Sequence, residues 1–431
     1  MHPNLSFEQA PPISVPYRFF LAAPWFGVLA GVLLAWAGGD ALGSRWTPEA
    51  LALTHLIAAG FMLQAMSGAM FQFIPVAVGG NVWRSLLVAN VVQPLLLLGA
   101  LLLVAGFLFS APVLLRAAVP ALLLGVGIVV TAVLFALWRT PATGMTLWTM
   151  RIAVAGLAVT VLLGSLLAEA LARGLPLPLI ELTNIHLAWG LGGWALMLVA
   201  AVSYFVVPMF QLTHPYPLWF ARGFGPALLL AVTAWSVLWF VGDAPYARGV
   251  GLPLALLCAG FAAMTLWLQF TRRRKVDDAT SLNFRVAMLA LFAFGVSVAA
   301  IVAFPELADD PRATVWLGML AFPGVFVSTI SGMMYKIAPF LNWLHLQRLG
   351  APISAVPNMK KMISADAMTA QFRLHVLALL LLLASVWLPS LVRAAGIMFA
   401  GSCVWLGWNL ISAVNSYRRF RDQIRANVLR C

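Results

Sequence analysis

Residues 54–75 read THLIAAGFMLQAMSGAMFQFIP, an apolar run with one histidine near its start, His55, followed by Gly60, Gly68 and Pro75 at +5, +13 and +20. About 20 apolar residues in helical form cross a bilayer core of roughly 30 Å. The quoted run belongs to a span expected near 50–76, and similar runs recur near 17–38, 85–109, 113–137, 147–172, 184–210, 218–241, 249–270, 284–304, 313–338, 372–390 and 393–416. A chain that is 63% hydrophobic and 9% charged, with mean hydropathy +0.97, has too much apolar surface for water as its solvent. The apolar positions fill whole runs rather than alternating, which argues against a transmembrane barrel. The expected fold class is therefore an all-α polytopic integral membrane protein of about twelve helices, with tails over 1–16 and 418–431 flanking a transmembrane domain over 17–417.

Charge gives the expected orientation. With the N-terminus in the cytoplasm, 20 of the 26 Lys and Arg fall on the cytoplasmic side, whereas 8 of the 13 Asp and Glu fall outside. This positive-inside pattern predicts both termini in the cytoplasm, and the membrane expected is a bacterial inner membrane. The strongest contributors are Arg272, Arg273, Arg274 and Lys275, then Lys360 and Lys361, then the tail SYRRFRDQIRANVLR. Their reading is topology and contact with the lipid bilayer, not nucleic acid. The polar, proline-rich start MHPNLSFEQAPPISVP lacks the charge and apolar pattern of a cleavable signal peptide. Cys258, Cys403 and Cys431 are scattered, which suggests neither a disulfide frame nor a thiolate metal site.

The second, sixth and tenth spans end alike: GAMFQFIPV, AVSYFVVPM and GMMYKIAPF. An aromatic stands four residues before a proline in each (Phe71 and Pro75, Tyr204 and Pro208, Tyr335 and Pro339), and a small residue stands seven before it (Gly68, Ala201, Gly332). Three matching ends at four-helix intervals predict three pseudo-repeated four-helix units. Small residues let helix backbones approach closely in lipid. Two roles stay open for the glycines of these spans: plain helix packing, or room for a flat cofactor.

Twelve helices in three arcs of four, with histidines near the outer ends of the inward-running second and sixth spans, resemble the plan of subunit I of the heme-copper oxidases. His55, Gly60, Gly68 and Pro75 resemble more closely the second helix of the NnrS-type heme- and copper-containing membrane proteins, and IPVAVGGNVWR at 74–84 looks like the end of the second helix of oxidase subunit I. The resemblance implies heme b between central helices, copper, and a cytochrome or other redox partner. Departures are equally plain. No His-His pair occurs, the seventh span has no histidine, and the tenth span as drawn has none of the two heme ligands of an oxidase. A complete binuclear centre is not expected.

Six histidines bound the candidates. His55 is the first candidate ligand, because polar groups inside membranes tend to be functional and neutral imidazole binds heme iron. Its alternative is a hydrogen bond to a nearby carbonyl. His186, in NIHLAWGLGGW, is its nearest counterpart, two residues out of register, with Asn184 and Glu181 as candidate orienting groups. Met319 aligns with His55, twenty residues before its proline, so a His55–Met319 axial pair is a third option. Met62, Met66 and Met70 share one helix face and suit Cu(I), or else fill the core. His214 and His345 each follow a repeat proline by six residues, and His375 begins the eleventh span; all three are metal candidates or interfacial anchors on the cytoplasmic side. His2 lies in the tail. Lys336 is read as snorkelling to the headgroups, and the connection over 340–371 as the largest exposed segment.

The chemistry classes left are a membrane heme protein, a transporter or channel, and a metal-free assembly or scaffold protein. No nucleotide-binding, nucleophile-elbow or zinc-protease motif occurs. The sequence leaves the oligomeric state open.

Overall fold

The computed structural model of the protein describes residues 10–241, 244–272, 276–349 and 356–428; His2, Arg273, Arg274, Lys275 and Cys431 lie outside the described residues. Among the described residues there is no strand, and twelve helices are long and apolar enough to cross a membrane. They are α1 (Ser14–Leu42), α2 (Pro48–Val78), α3 (Ser85–Leu108), α4 (Pro112–Arg139), α5 (Met145–Arg173), α6 (Leu179–Gln211), α7 (Leu218–Phe240), α8 (Gly249–Phe270), α9 (Ala279–Ala303), α10 (Pro311–Gln347), α11 (Ala365–Ser385) and α12 (Pro389–Ala426). The chain is an all-α polytopic membrane protein. We call the end of the bundle that holds the first residues of α2, α6 and α10 its upper end.

Caps explain the boundaries. Thr47 opens α2 by accepting from the Ala50 N–H at 3.1 Å, with Pro48 in the first turn. Asp278 and Ser281 form a reciprocal capping box on α9. Ser364 caps α11, which starts at Ala365 and not near 372, so His375 sits midway along the helix rather than at its start. Pro339 does not end α10; the helix runs on to Gln347 and buries Leu341, Asn342, Leu344 and Leu346. The exposed connection is correspondingly shorter than 340–371, and the expected C-terminal tail continues the last helix to Val428.

The three-unit plan is visible in the backbone. α2, α6 and α10 each contain a π-helical stretch, Leu56–Met62, Trp189–Leu196 and Leu320–Val327, and each stretch begins nineteen residues before the repeat proline. Packing repeats at the same registers. A Cβ on Gly68 would lie 2.8 Å from Phe19 Cβ and 3.1 Å from the Pro16 carbonyl; on Gly332 it would lie 2.8 Å from Asn283 Cβ and 3.1 Å from the Thr280 carbonyl. Every member of the second set stands 264 positions after its counterpart (68 to 332, 19 to 283, 16 to 280). At this register the small residues serve helix packing against α1 and α9. α12 lies along α1, α4 along α5 and α8 along α9, so the last helix of each unit packs on the first helix of the next and the ring closes.

Candidate functional site

The central helices enclose a cavity of about 70 Å³ whose walls follow the repeat. It is lined by the residues ten, nine, six, five and two positions before the proline in all three helices: Ala65, Leu198 and Thr329; Met66, Val199 and Ile330; Ala69, Val202 and Met333; Met70, Ser203 and Met334; Phe73, Val206 and Ile337. Phe20 of α1, Met150 of α5 and Phe284 of α9, the first helix of each unit, complete it. The cavity therefore lies on the pseudo-threefold axis, and its walls carry no charge. Met66 and Met70 of the expected methionine stripe face it, joined by Met150, Met333 and Met334; Met62 is fully buried elsewhere. The stripe does not act as one face because a π turn ends at Met62 and re-aims the side chains on either side of it.

His55 and His186 lie in the upper parts of α2 and α6, above this cavity. His55 is the residue before the π stretch of α2, half-buried, and its Nδ1–H donates to the Leu51 carbonyl one turn earlier at 2.8 Å. Its ring packs on Phe107 of α3, centroids 5.0 Å apart. His186 is also half-buried, and its Nδ1–H donates to the Thr160 carbonyl of α5 at 3.1 Å. Its ring lies on Gly164, where a Cβ would come within 2.9 Å of the imidazole Cε1. The two imidazoles are within electrostatic reach of each other. A carbonyl only accepts, so each Nδ1 carries a proton, and in the neutral form that an apolar span favours each ring presents an Nε2 lone pair. Neither Nε2 has a hydrogen-bond partner among the described residues. The Leu51 bond is the carbonyl alternative expected for His55; a histidine held at Nδ1 in this way could also ligate a metal through Nε2.

The expected orienting groups are replaced. Asn184 Oδ1 accepts from Arg45 Nη1 at 2.9 Å rather than serving His186, since two residues along a helix turn a side chain to another face. The carbonyl of Thr160 takes that role. Backbone acceptors leave no sequence signature.

The other candidates lie apart. Met319 precedes the π stretch of α10 as His55 precedes that of α2, so the register holds. Its side chain lines a second cavity, of about 120 Å³, whose walls include Thr54 and Ile57 but not His55. His214 is exposed in the connection between α6 and α7. His345, now within α10, is half-buried near the lower end with its Nε2 buried and unpaired. His375 is buried between α11 and α10, where its Nε2 lies 2.8 Å from Ser328 Oγ. The Ser328 hydroxyl donates to the Pro323 carbonyl, so His375 Nε2–H is the donor and its buried Nδ1 lone pair has no partner. No three His, Cys, Asp or Glu side chains converge among the described residues. Lys336, expected to reach the headgroups, pairs with Asp278 at the start of α9 at 2.7 Å.

Several buried polar groups escaped the sequence reading. Gln64 and Ser67 are fully buried on α2 with no partner for their side-chain atoms among the described residues. Tyr335 donates to Gln371 at 3.0 Å and accepts from Asn409 at 2.9 Å, and Gln371 donates to the Ser402 hydroxyl at 3.0 Å, tying α10, α11 and α12. A small or polar residue at helical spacing gives no local sign that it faces another helix.

Compared with known proteins, the sequence matches no family model and no curated protein.

Proposed function

We propose that the protein is a membrane heme protein that shares its plan with subunit I of the heme-copper oxidases and, more closely, with NnrS-type proteins, and that it works in electron transfer or nitric-oxide-linked metabolism without a complete binuclear centre. One observation carries this reading: two imidazoles within electrostatic reach of each other, each tied at Nδ1 to a backbone carbonyl and each offering a free Nε2. That donor set suits a bis-histidine heme b, and the same two nitrogens suit copper. Heme, when bound, supplies one-electron chemistry. The protein's part is to hold both rings neutral and oriented, Phe107 backing one ring and the bare Cα of Gly164 seating the other.

In this reading the upper end faces away from the cytoplasm of a bacterial inner membrane, and a cytochrome or similar redox partner approaches there. His186 is the preferred partner of His55, because Met319 turns into a different cavity. The test is the absorption spectrum of the protein purified in detergent. A Soret band that is lost in both His55→Ala and His186→Ala supports the assignment. A preparation that stays colourless and takes up no added hemin rejects it.

A second reading, a channel or transporter, draws on the axial cavity, whose walls repeat around the three central helices. Flux of a solute through proteoliposomes, blocked by Ala69→Phe on that axis, supports it; equal leakage from wild-type and variant vesicles rejects it.

A further inference from the structure

The second cavity lies between α1, α2, α10, α11 and α12, directly below the connection that carries Arg45. Its walls are almost wholly apolar, built from Leu34, Leu42, Ile57, Val315, Phe322 and Phe399 among others, and Thr54 and Thr314 supply its only hydroxyls. Arg45 is the only charged lining residue. Its guanidinium is half-buried over the Trp46 ring at 4.7 Å, and one nitrogen is held by Asn184 at 2.9 Å. No carboxylate pairs with it among the described residues. Burial alone pulls its pKa below the ordinary arginine value, with no opposing charge to offset this.

A cation withdrawn from water without a counter-ion is costly. The Asn184 contact leaves most of the five N–H donors of the fork unused. Beneath them the slot runs along α2 from Ala50 to Ile57, about 10 Å at 1.5 Å per residue. Gly318 keeps one wall open: a Cβ there would meet nothing within 4 Å.

We propose that this half-open cavity binds a monoanionic amphiphile, its headgroup paired with Arg45, the near part of its apolar chain in the slot below and the rest leaving through the open side. A fatty carboxylate and an anionic phospholipid share that chemistry. Neither His55 nor His186 is among its walls.

The experiment is equilibrium dialysis of radiolabelled decanoate against the full-length protein in phosphatidylcholine nanodiscs, with empty discs subtracted. Saturable binding is expected. It should weaken at least about tenfold in Arg45→Met, as loss of a charge-assisted contact requires. Gly318→Leu should weaken it similarly by filling the slot, without touching the charge. Decanol should compete poorly. Adding phosphatidylglycerol to the discs separates the sources: displacement of decanoate assigns the site to a lipid phosphate, and retention assigns it to a free carboxylate. A melting midpoint kept in either variant makes its result readable, and two variants on different walls guard against misfolding of one. Unchanged decanoate affinity in both variants, competition by decanol equal to that by decanoate, or no saturable binding in discs with or without phosphatidylglycerol overturns the proposal.

Discussion

At the residue scale the candidate site depends on what surrounds two histidines more than on the histidines themselves. Gly164 is the sharpest case. A methyl group there would press on the His186 ring at 2.9 Å, closer than real Cβ contacts come, so the ring must swing away from the Thr160 carbonyl. Gly164→Ala should therefore weaken hemin binding about tenfold or more, as loss of an orienting contact commonly does, while far-ultraviolet circular dichroism stays unchanged. Titration of the purified variant with hemin checks this. Ser328 gives a stability test away from the pair. Removing its hydroxyl leaves the His375 Nε2–H without an acceptor in a buried site, and Ser328→Ala should cost about 1–3 kcal/mol, read as a lower melting midpoint in detergent with hemin affinity unchanged.

These residues also show where sequence reading stops. His55 and His186 could be singled out because an imidazole is conspicuous in an apolar run and both lie in a repeated frame. Gly164 could not, since a glycine in α5 gains meaning only when the ring from α6 rests on it. Met319 was placed in the right register, yet the direction of its side chain was not legible.

At the element scale the reason is the π turn. Each central helix has an α-helical upper part, a π stretch and an α-helical lower part. A π turn holds one residue more than the α ladder allows, so it shifts the face presented by everything above it. Extrapolating a helical wheel from Pro75 up to His55, or from Pro339 up to Met319, then points the side chain wrongly. Gly60 in α2, Gly190, Gly192 and Gly193 in α6, and Pro323 with Gly324 in α10 lie within these stretches, where they weaken the α ladder. Deleting Ala58 should let α2 run as a regular helix and rotate its upper part by about 100°, the angle of one residue. The expected outcome is a folded protein that no longer takes up hemin. Deleting Ala321 from α10 makes the matching control, with the imidazole pair left in place. Equal hemin uptake by both deletions contradicts the assigned role of the α2 stretch.

At the scale of the whole molecule the ring of three units closes where α1 meets α12. A Cβ on Gly31 would lie 2.5 Å from the Ala400 amide nitrogen and 2.6 Å from the Gly396 carbonyl oxygen, and both are backbone atoms that cannot rotate aside. Gly31→Leu should cost about 3 kcal/mol, seen as a lower melting midpoint, and should loosen the contact of the first unit with the third while leaving the α2–α6 face intact. The repeat itself was legible in the sequence because three proline-anchored helix ends match. Closure was not, because it rests on backbone-to-backbone contacts between helices at opposite ends of the chain. The axial cavity was hidden for a related reason: its fifteen wall residues from the central helices match in register but not in type.

The central claim is that His55 and His186 hold one heme between them. Electron paramagnetic resonance of the oxidised, hemin-loaded protein tests it most directly. The account predicts a low-spin signal of bis-imidazole type that turns high-spin in His55→Ala and in His186→Ala alike, while Met319→Leu keeps the low-spin signal. A low-spin signal that survives loss of either histidine, or that is lost in Met319→Leu, contradicts it.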